Sequence, residues 1–361
     1  MKQRLLVIWL VIILLLPAAA QGDTSPQVLG ERFVLDNGLV WLFSEQRSLP
    51  LVSINLLIKA GVLREPPGKA GLANLTAIML LQGTKSRSAA QIAQEVDFLG
   101  AKLSAAGSDD YAAVSLTVLK KDIIAGLELM KDVVFNPAFA PEELNRKLTQ
   151  LQASFKTDED EPGIIASRAF HRRLFGKNPY AYPAKGTPES LKTIKREEVA
   201  AFHKKFYRPN NAILTVVGDL SRDEAKDLVE KNFGGWPRAP VPPPEVPAPP
   251  PLDKPEIVVI DKPITQANIV WGQIGIARNN PDFYALQVLN YILGGGGFSS
   301  RLLNNIREQR GLAYFAGSSL GAGLEPGALT ISLETKNPSA GEAVAEVLKE
   351  VERLRSQPVT P

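Results

Sequence analysis

Ten of the 19 residues from Pro237 to Pro255 are proline, and no single sheet or helix bundle can run unbroken through such a stretch. Each proline fixes φ and removes a backbone donor, so the segment favours an extended polyproline conformation and acts as a semi-rigid spacer. It divides the chain into a first domain at 27–236 and a second at 256–361. A docking peptide for a proline-binding partner is the competing use of this composition. Length points the same way as the linker: about 340 residues outside the N-terminal segment exceed the usual single-domain size.

Residues 1–20 read as a secretory signal. Lys2 and Arg4 precede 12 unbroken apolar residues, Leu5 to Leu16, and Ala18 to Ala20 offer a small-residue cleavage site. Twelve apolar residues are too few to span a bilayer, which takes about 20, so no stable membrane anchor is expected. An uncleaved anchor is the alternative. The chain has no Cys and hence no disulfide framework. The expectation is export across an inner membrane to a bacterial periplasm. Without Lys2 and Arg4 the charge is +1, 39 basic against 38 acidic residues, and this near-balance argues against a nucleic-acid partner.

Before the linker, Phe33 to Leu42 reads as two strands around Asn37-Gly38, a strong hairpin signal. Strands are expected at 51–59, 101–106, 111–118 and 212–217, and helices at 71–82, 88–99, 121–134, 141–158, 163–175, 196–206 and 222–232. After it, strands at 256–261, 267–276, 313–320 and 328–335 alternate with helices at 281–293, 299–309 and 339–356. Strands and helices mix without βαβ regularity, so the class is α+β. The order after the linker partly repeats the early part of the first domain, as a duplicated unit would.

Residues 71–84, GLANLTAIMLLQGT, resemble the zinc helix of the insulinase/pitrilysin-type peptidases, the inverzincins, which reads roughly GLAHxxEHMLFxGT. In that pattern two His bind zinc from one helix face and a Glu between them acts as general base. The three positions here are Asn74, Ala77 and Ile78. A third ligand, a Glu one long helix further on, falls near Ser154 or Phe155, and neither can ligate. Only two His exist, His171 and His203, both beside basic residues, and packing or surface roles are expected for them. The acidic run Asp158 to Glu161 reads as a solvated helix end. This chain alone is therefore not expected to be a zinc peptidase.

A second block, Gly294 to Tyr314, resembles the part of the same family whose Arg and Tyr stand seven positions apart, matched here by Arg307 and Tyr314. The resemblance implies that the Tyr hydroxyl donates to the developing oxyanion while the Arg holds the substrate backbone. It also implies that Gly296, Gly297 and Phe298 lie along the peptide path. Arg310 competes with Arg307, and the plain alternative is a solvated helix Arg with a Tyr that merely begins a strand. The four glycines otherwise read as a free helix end, not a phosphate loop, since no GK[ST] follows. No Cys nucleophile exists, and no GxSxG elbow is expected.

With weaker pieces such as residues 175–180, 186–190, 206–211 and 217–219, the resemblance spans about Val28 to Thr360. It implies two related inverzincin-type (LuxS/metallopeptidase-like) domains enclosing a chamber. The second is expected to be truncated, because it stops at Pro361 where related chains enter another long helix. The functional expectation is a non-catalytic subunit of a heterodimeric zinc peptidase: a zinc-bearing homologous subunit holds the metal, this chain holds none, and the substrates are peptides. A catalytically silent binding or scaffold protein of the same fold is the alternative.

Overall fold

The computed structural model describes residues 30–359, so the signal expected at 1–20 lies outside them. The first half builds a six-stranded sheet from β1 (Glu31–Val34), β2 (Val40–Glu45), β3 (Leu51–Ile58), β4 (Lys102–Gly107), β5 (Ala112–Leu119) and β6 (Ala212–Gly218), in the order β1-β2-β6-β3-β5-β4. Only β2 and β6 run parallel; the remaining pairs are antiparallel. The Asn37-Gly38 turn forms with Gly38 at φ +86°, which suits glycine. Asn37 also donates from Nδ2 to the Phe233 carbonyl at 2.7 Å, tying the hairpin to a distant helix end.

Alternation in β3 buries Val52, Ile54, Leu56 and Ile58, which join Leu39, Trp41, Leu116 and Leu214 in the main core. Its helices are α1 (Leu72–Met79), α2 (Ala89–Phe98), α3 (Ile123–Phe135), α4 (Pro141–Glu159), α5 (Pro162–Phe175), α6 (Pro188–Thr193), α7 (Arg196–Phe206) and α8 (Arg222–Phe233); α1, α2, α3 and α8 lie on the sheet, α4 and α7 pack on α1, and α5 and α6 on α4. Reciprocal side-chain caps start three of these helices, at Ser88/Gln91, Thr187/Ser190 and Ser221/Glu224.

The second half forms a three-stranded antiparallel sheet, β7 (Gln266–Ile274), β8 (Ala313–Ala322) and β9 (Pro326–Lys336), ordered β7-β9-β8. That order repeats β3-β5-β4 of the first sheet, so the duplication is visible in topology. Its helices are α9 (Phe283–Asn290) and α10 (Ala340–Ser356), and a small core joins Ile331 and Leu333 to Ile306, Leu302 and Val347.

The expected strand at 256–261 does not form: these residues pair with no strand among those described, and Ile257 and Val259 are 91% and 84% exposed. In the first sheet the corresponding β2 is held by β6, and no strand among the described residues plays that part here. The expected helices at 281–293 and 299–309 also change character. Residues Tyr291–Gly295 and Leu303–Gln309 wind as π-helix, with i→i−5 bonds such as Gly296 N–H to the Tyr291 carbonyl (2.8 Å) and Arg310 N–H to that of Asn305 (3.2 Å).

The proline-rich segment lies along the first half, fastened by Asn210 Nδ2 to the Ala239 carbonyl (3.0 Å) and Asn178 Nδ2 to that of Pro247 (2.9 Å). Helix α5 packs against β7, which joins the two halves.

Candidate functional site

The helix that lacks the zinc pattern is built into the core. Gly71 caps α1 at φ +95°, and Glu65 reaches its free amides, accepting from Gly71 N–H at 3.0 Å and Ala73 N–H at 2.8 Å. Burial pushes the Glu65 carboxyl up to about 8, against the opposing pull of those two donors. Asn74 accepts through Oδ1 from Gly107 N–H at 3.0 Å, at the end of edge strand β4. A Cβ on Gly107 would stand 2.5 Å from Asn74 Cα, so helix and strand meet backbone to backbone here. Ala77 is fully buried and Ile78 packs on the same core.

The position expected near a third ligand is equally unsuited to a metal. Ser154 donates from Oγ to the Leu151 carbonyl at 2.8 Å. Phe155 is buried, with Arg168 and Lys185 over its ring at 5.5 and 5.1 Å. Asp158, expected to be solvated, is buried between the same cations, 2.5 Å from Lys185 and paired with Arg168. Burial alone would raise its carboxyl, but hydrogen bonds from Lys185 and Arg168 hold it below the usual carboxylate range. No group of three or more His, Asp or Glu suited to a metal occurs among the described residues. An amide engaged with a strand, a methyl and an aliphatic chain do not fit zinc.

Both histidines pack. His171 Nδ1 sits 2.8 Å from the Ser167 carbonyl and the ring stacks on Phe175. His203 Nε2 lies 2.8 Å from the Val134 carbonyl, and burial lowers its pKa to about 4.

The second block assembles into one cluster. The Arg307 guanidinium lies 5.0 Å from the Tyr314 ring centroid and 5.3 Å from that of Phe298. Tyr314 is 75% exposed and Phe298 73%, so both rings flank the cation at the surface. A β-bulge explains Tyr314: Ala313 pairs with Thr335 and Phe315 with Glu334, leaving Tyr314 as the extra residue. Arg307 projects from the π-wound stretch Leu303–Gln309. A cleft of about 200 Å³, lined by Ser167, Asn268, Phe315 and Glu334, lies between α5 and the second sheet.

The glycines divide by role. A Cβ on Gly294 would lie 2.3 Å from Ser318 N, and one on Gly296 would lie 2.7 Å from the Tyr291 carbonyl, so both are demanded by backbone packing. Gly297, at φ +61°, faces open space before Phe298. Arg310 turns away from the cluster, donating from Nε to Asn305 Oδ1 at 3.0 Å and pairing with buried Glu346 at 3.1 Å. Geometry thus prefers Arg307 over Arg310. Residues 317–321 spell GxSxG, but they run straight through β8 and make no strand-to-helix elbow.

Glu65, the Asn74–Gly107 contact and the Glu346–Asn305–Arg310 network have no sequence signal. Only the helix start at Gly71 hints that some group must satisfy its amides. Among the described residues, no helix is long and apolar enough to cross a membrane.

Comparison with known proteins identifies the family and the fold. Residues 42–188 match the family model of insulinase (peptidase family M16), and residues 193–361 match that of the peptidase M16 inactive domain. An uncharacterized zinc protease of Rickettsia bellii is 29% identical over 333 residues, covering 90% of this chain and 77% of that protein. The uncharacterized zinc protease YmxG of Bacillus subtilis is 28% identical over 308 residues, covering 83% and 72%. The crystal structure of a peptidase M16 inactive domain from Pseudomonas fluorescens superposes with a TM-score of 0.85 at 31% identity, covering 91% of this chain and 80% of that one. A Helicobacter pylori protease shares the fold, with a TM-score of 0.86 at 21% identity over 92% and 81% of the two chains. The chain belongs to the insulinase, or M16, family of peptidases.

Proposed function

We propose that this chain is the non-catalytic subunit of a heterodimeric zinc peptidase, contributing Arg307 and Tyr314 to an active site whose metal and base reside on a homologous partner chain. The carrying observation is the contrast between the two halves. The α1 face is built for packing with Asn74, Ala77 and Ile78, while Phe298 and Tyr314 stand exposed with the half-buried Arg307 assembled between them.

The chemistry suits peptide hydrolysis, whose transition state places negative charge on the carbonyl oxygen. The Tyr314 hydroxyl, lifted from its strand by the bulge, donates to that oxygen. Arg307, held between two rings, keeps its fork of donors available for a substrate carbonyl. Phe298 and Gly297 border the path of an extended peptide. The N-terminal pattern of Lys2, Arg4 and Leu5 to Leu16 supports export to the periplasm.

The test is hydrolysis of a quenched fluorescent peptide by this chain co-produced with a zinc-bearing homologue from the same genome. Activity confined to the pair supports the reading. Full activity of the homologue by itself, unchanged on adding this chain, overturns it in favour of a silent scaffold.

A further inference from the structure

The strand that carries Tyr314 is fastened to the first half at its opposite end. β8 closes at Ala322, and the turn into β9 runs through Gly323, Leu324 and Glu325. Leu324 N–H donates to Asp110 Oδ2 at 2.9 Å, and Glu325 N–H donates to the Tyr180 phenol oxygen at 3.4 Å. The Tyr180 hydroxyl in turn donates to Asp110 Oδ1, so one carboxylate gathers both the turn and the phenol. A Cβ on Gly323 would stand 2.6 Å from Asp110 Oδ2 and 2.6 Å from the Tyr180 oxygen, so a larger residue must push both groups away from the turn.

The receiving side is rigid. The backbone at 108–110 bonds to Gly61, Val62 and Leu63, and Asn178 Oδ1 accepts from Tyr180 N–H at 2.9 Å. Around the junction Leu63, Leu174, Phe175, Tyr180 and Ala181 of the first half bury Ala328 of the second. Burial and the Asp110 carboxylate push the Tyr180 phenol well above its ordinary value, which keeps it a donor at any physiological pH.

We infer that Asp110, Tyr180 and Gly323 are positioning residues, forming a latch that fixes the β8–β9 turn on the first half and thereby sets where Tyr314 and Arg307 stand. The inference rests on the functional reading of Tyr314 given above. The lever is long: eight residues separate Tyr314 from Ala322, or about 27 Å at about 3.4 Å per residue. Over that length a rotation of about 5° at the turn carries the phenol about 2 Å, and a misplacement of about 1 Å is enough to cost roughly a hundredfold in rate.

The experiment compares Asp110→Ala, Tyr180→Phe and Gly323→Ala in the full chain, by amide exchange at Leu324 and Glu325 and by steady-state kinetics of the co-produced pair. The expected result is exchange at least about tenfold faster in each variant, with kcat lowered about tenfold or more and KM within about twofold. Gly323→Ala adds nothing in the Asp110→Ala/Tyr180→Phe background, where the colliding atoms are gone. Asp110→Asn, which keeps an acceptor for the Leu324 amide, restores most of kcat and serves if the alanine variant fails to fold. Unchanged exchange overturns the latch. Faster exchange with unchanged kcat, in a pair that still depends on Tyr314, overturns the positioning role alone. A pair indifferent to Tyr314→Phe overturns the functional reading itself, and the exchange data then report the latch separately.

Discussion

Replacing Gly107 with alanine tests how tightly Asn74 and helix α1 are built against the sheet. The added Cβ would lie 2.5 Å from Asn74 Cα, 2.8 Å from Asn74 N and 3.1 Å from Ala73 C. All three are backbone atoms of α1, so no side-chain rotation relieves them. Ordinary contact requires a separation of about 3.5 Å or more, so helix and strand must part by about 1 Å, at a cost of about 2–3 kcal/mol typical of overpacking. The hydrogen bond from Gly107 N–H to Asn74 Oδ1 at 3.0 Å is strained by the same movement, worth about another 1 kcal/mol. Chemical denaturation followed by circular dichroism should show about 3 kcal/mol lost for Gly107→Ala and about 1 kcal/mol for Asn74→Ala. The double variant should fall short of the sum, because the displaced helix has already given up the bond. Wild-type stability for Gly107→Ala would refute the backbone contact, and strict additivity would refute the shared mechanism.

Further outcomes follow from individual groups. Glu65 is raised to about 8, so its contribution is whole below its unfolded value near 4.5 and is lost as pH rises toward 8; thermal melts of Glu65→Gln should lack that decline. His203 is lowered to about 4, so the unfolded chain takes up the proton first, and stability falls as pH drops from about 6.5 toward 4; His203→Gln should flatten that limb. Arg310→Ala leaves the buried Glu346 carboxylate short of a partner and should cost about 1–3 kcal/mol, whereas Arg307→Ala, which gives up only the contact with two exposed rings, should cost about 1 kcal/mol or less while abolishing most activity of the pair. Neither added zinc nor a chelator should shift the melting temperature of this chain alone, and a shift of several degrees would contradict the packed reading of α1.

Much of this architecture was legible because it is written locally. Asn37-Gly38 marks the hairpin, alternation marks β3 and β5, and the run of glycines before Phe298 marks a helix end. The degenerate helix was legible through residue identity, since Asn74, Ala77 and Ile78 cannot replace His and Glu. What escaped depends on partners far along the chain. Residues 256–261 have strand composition, but a strand needs a neighbour, and none of the described residues provides one. Asp158 sits in an acidic run and still ends buried, because Arg168 and Lys185 converge on it from other elements. The π windings and the bulge at Tyr314 carry no composition signal, nor does the engagement of Arg310 by Asn305 and Glu346 that leaves Arg307 to meet the tyrosine ring. Asn74 looked like the residue of a lost ligand; in the fold it caps the end of an edge strand.

Whether Tyr314 acts in the partner's active site is tested most directly by single-turnover hydrolysis with the co-produced pair carrying Tyr314→Phe on this chain. The phenylalanine preserves the ring over which Arg307 lies and removes only the hydroxyl. The expected result is about a hundredfold loss in the rate of the chemical step, with peptide binding nearly unchanged and zinc content on the partner intact. An undiminished rate would show that this hydroxyl never meets the reacting carbonyl, and the assignment of Tyr314 to the partner's active site would be wrong.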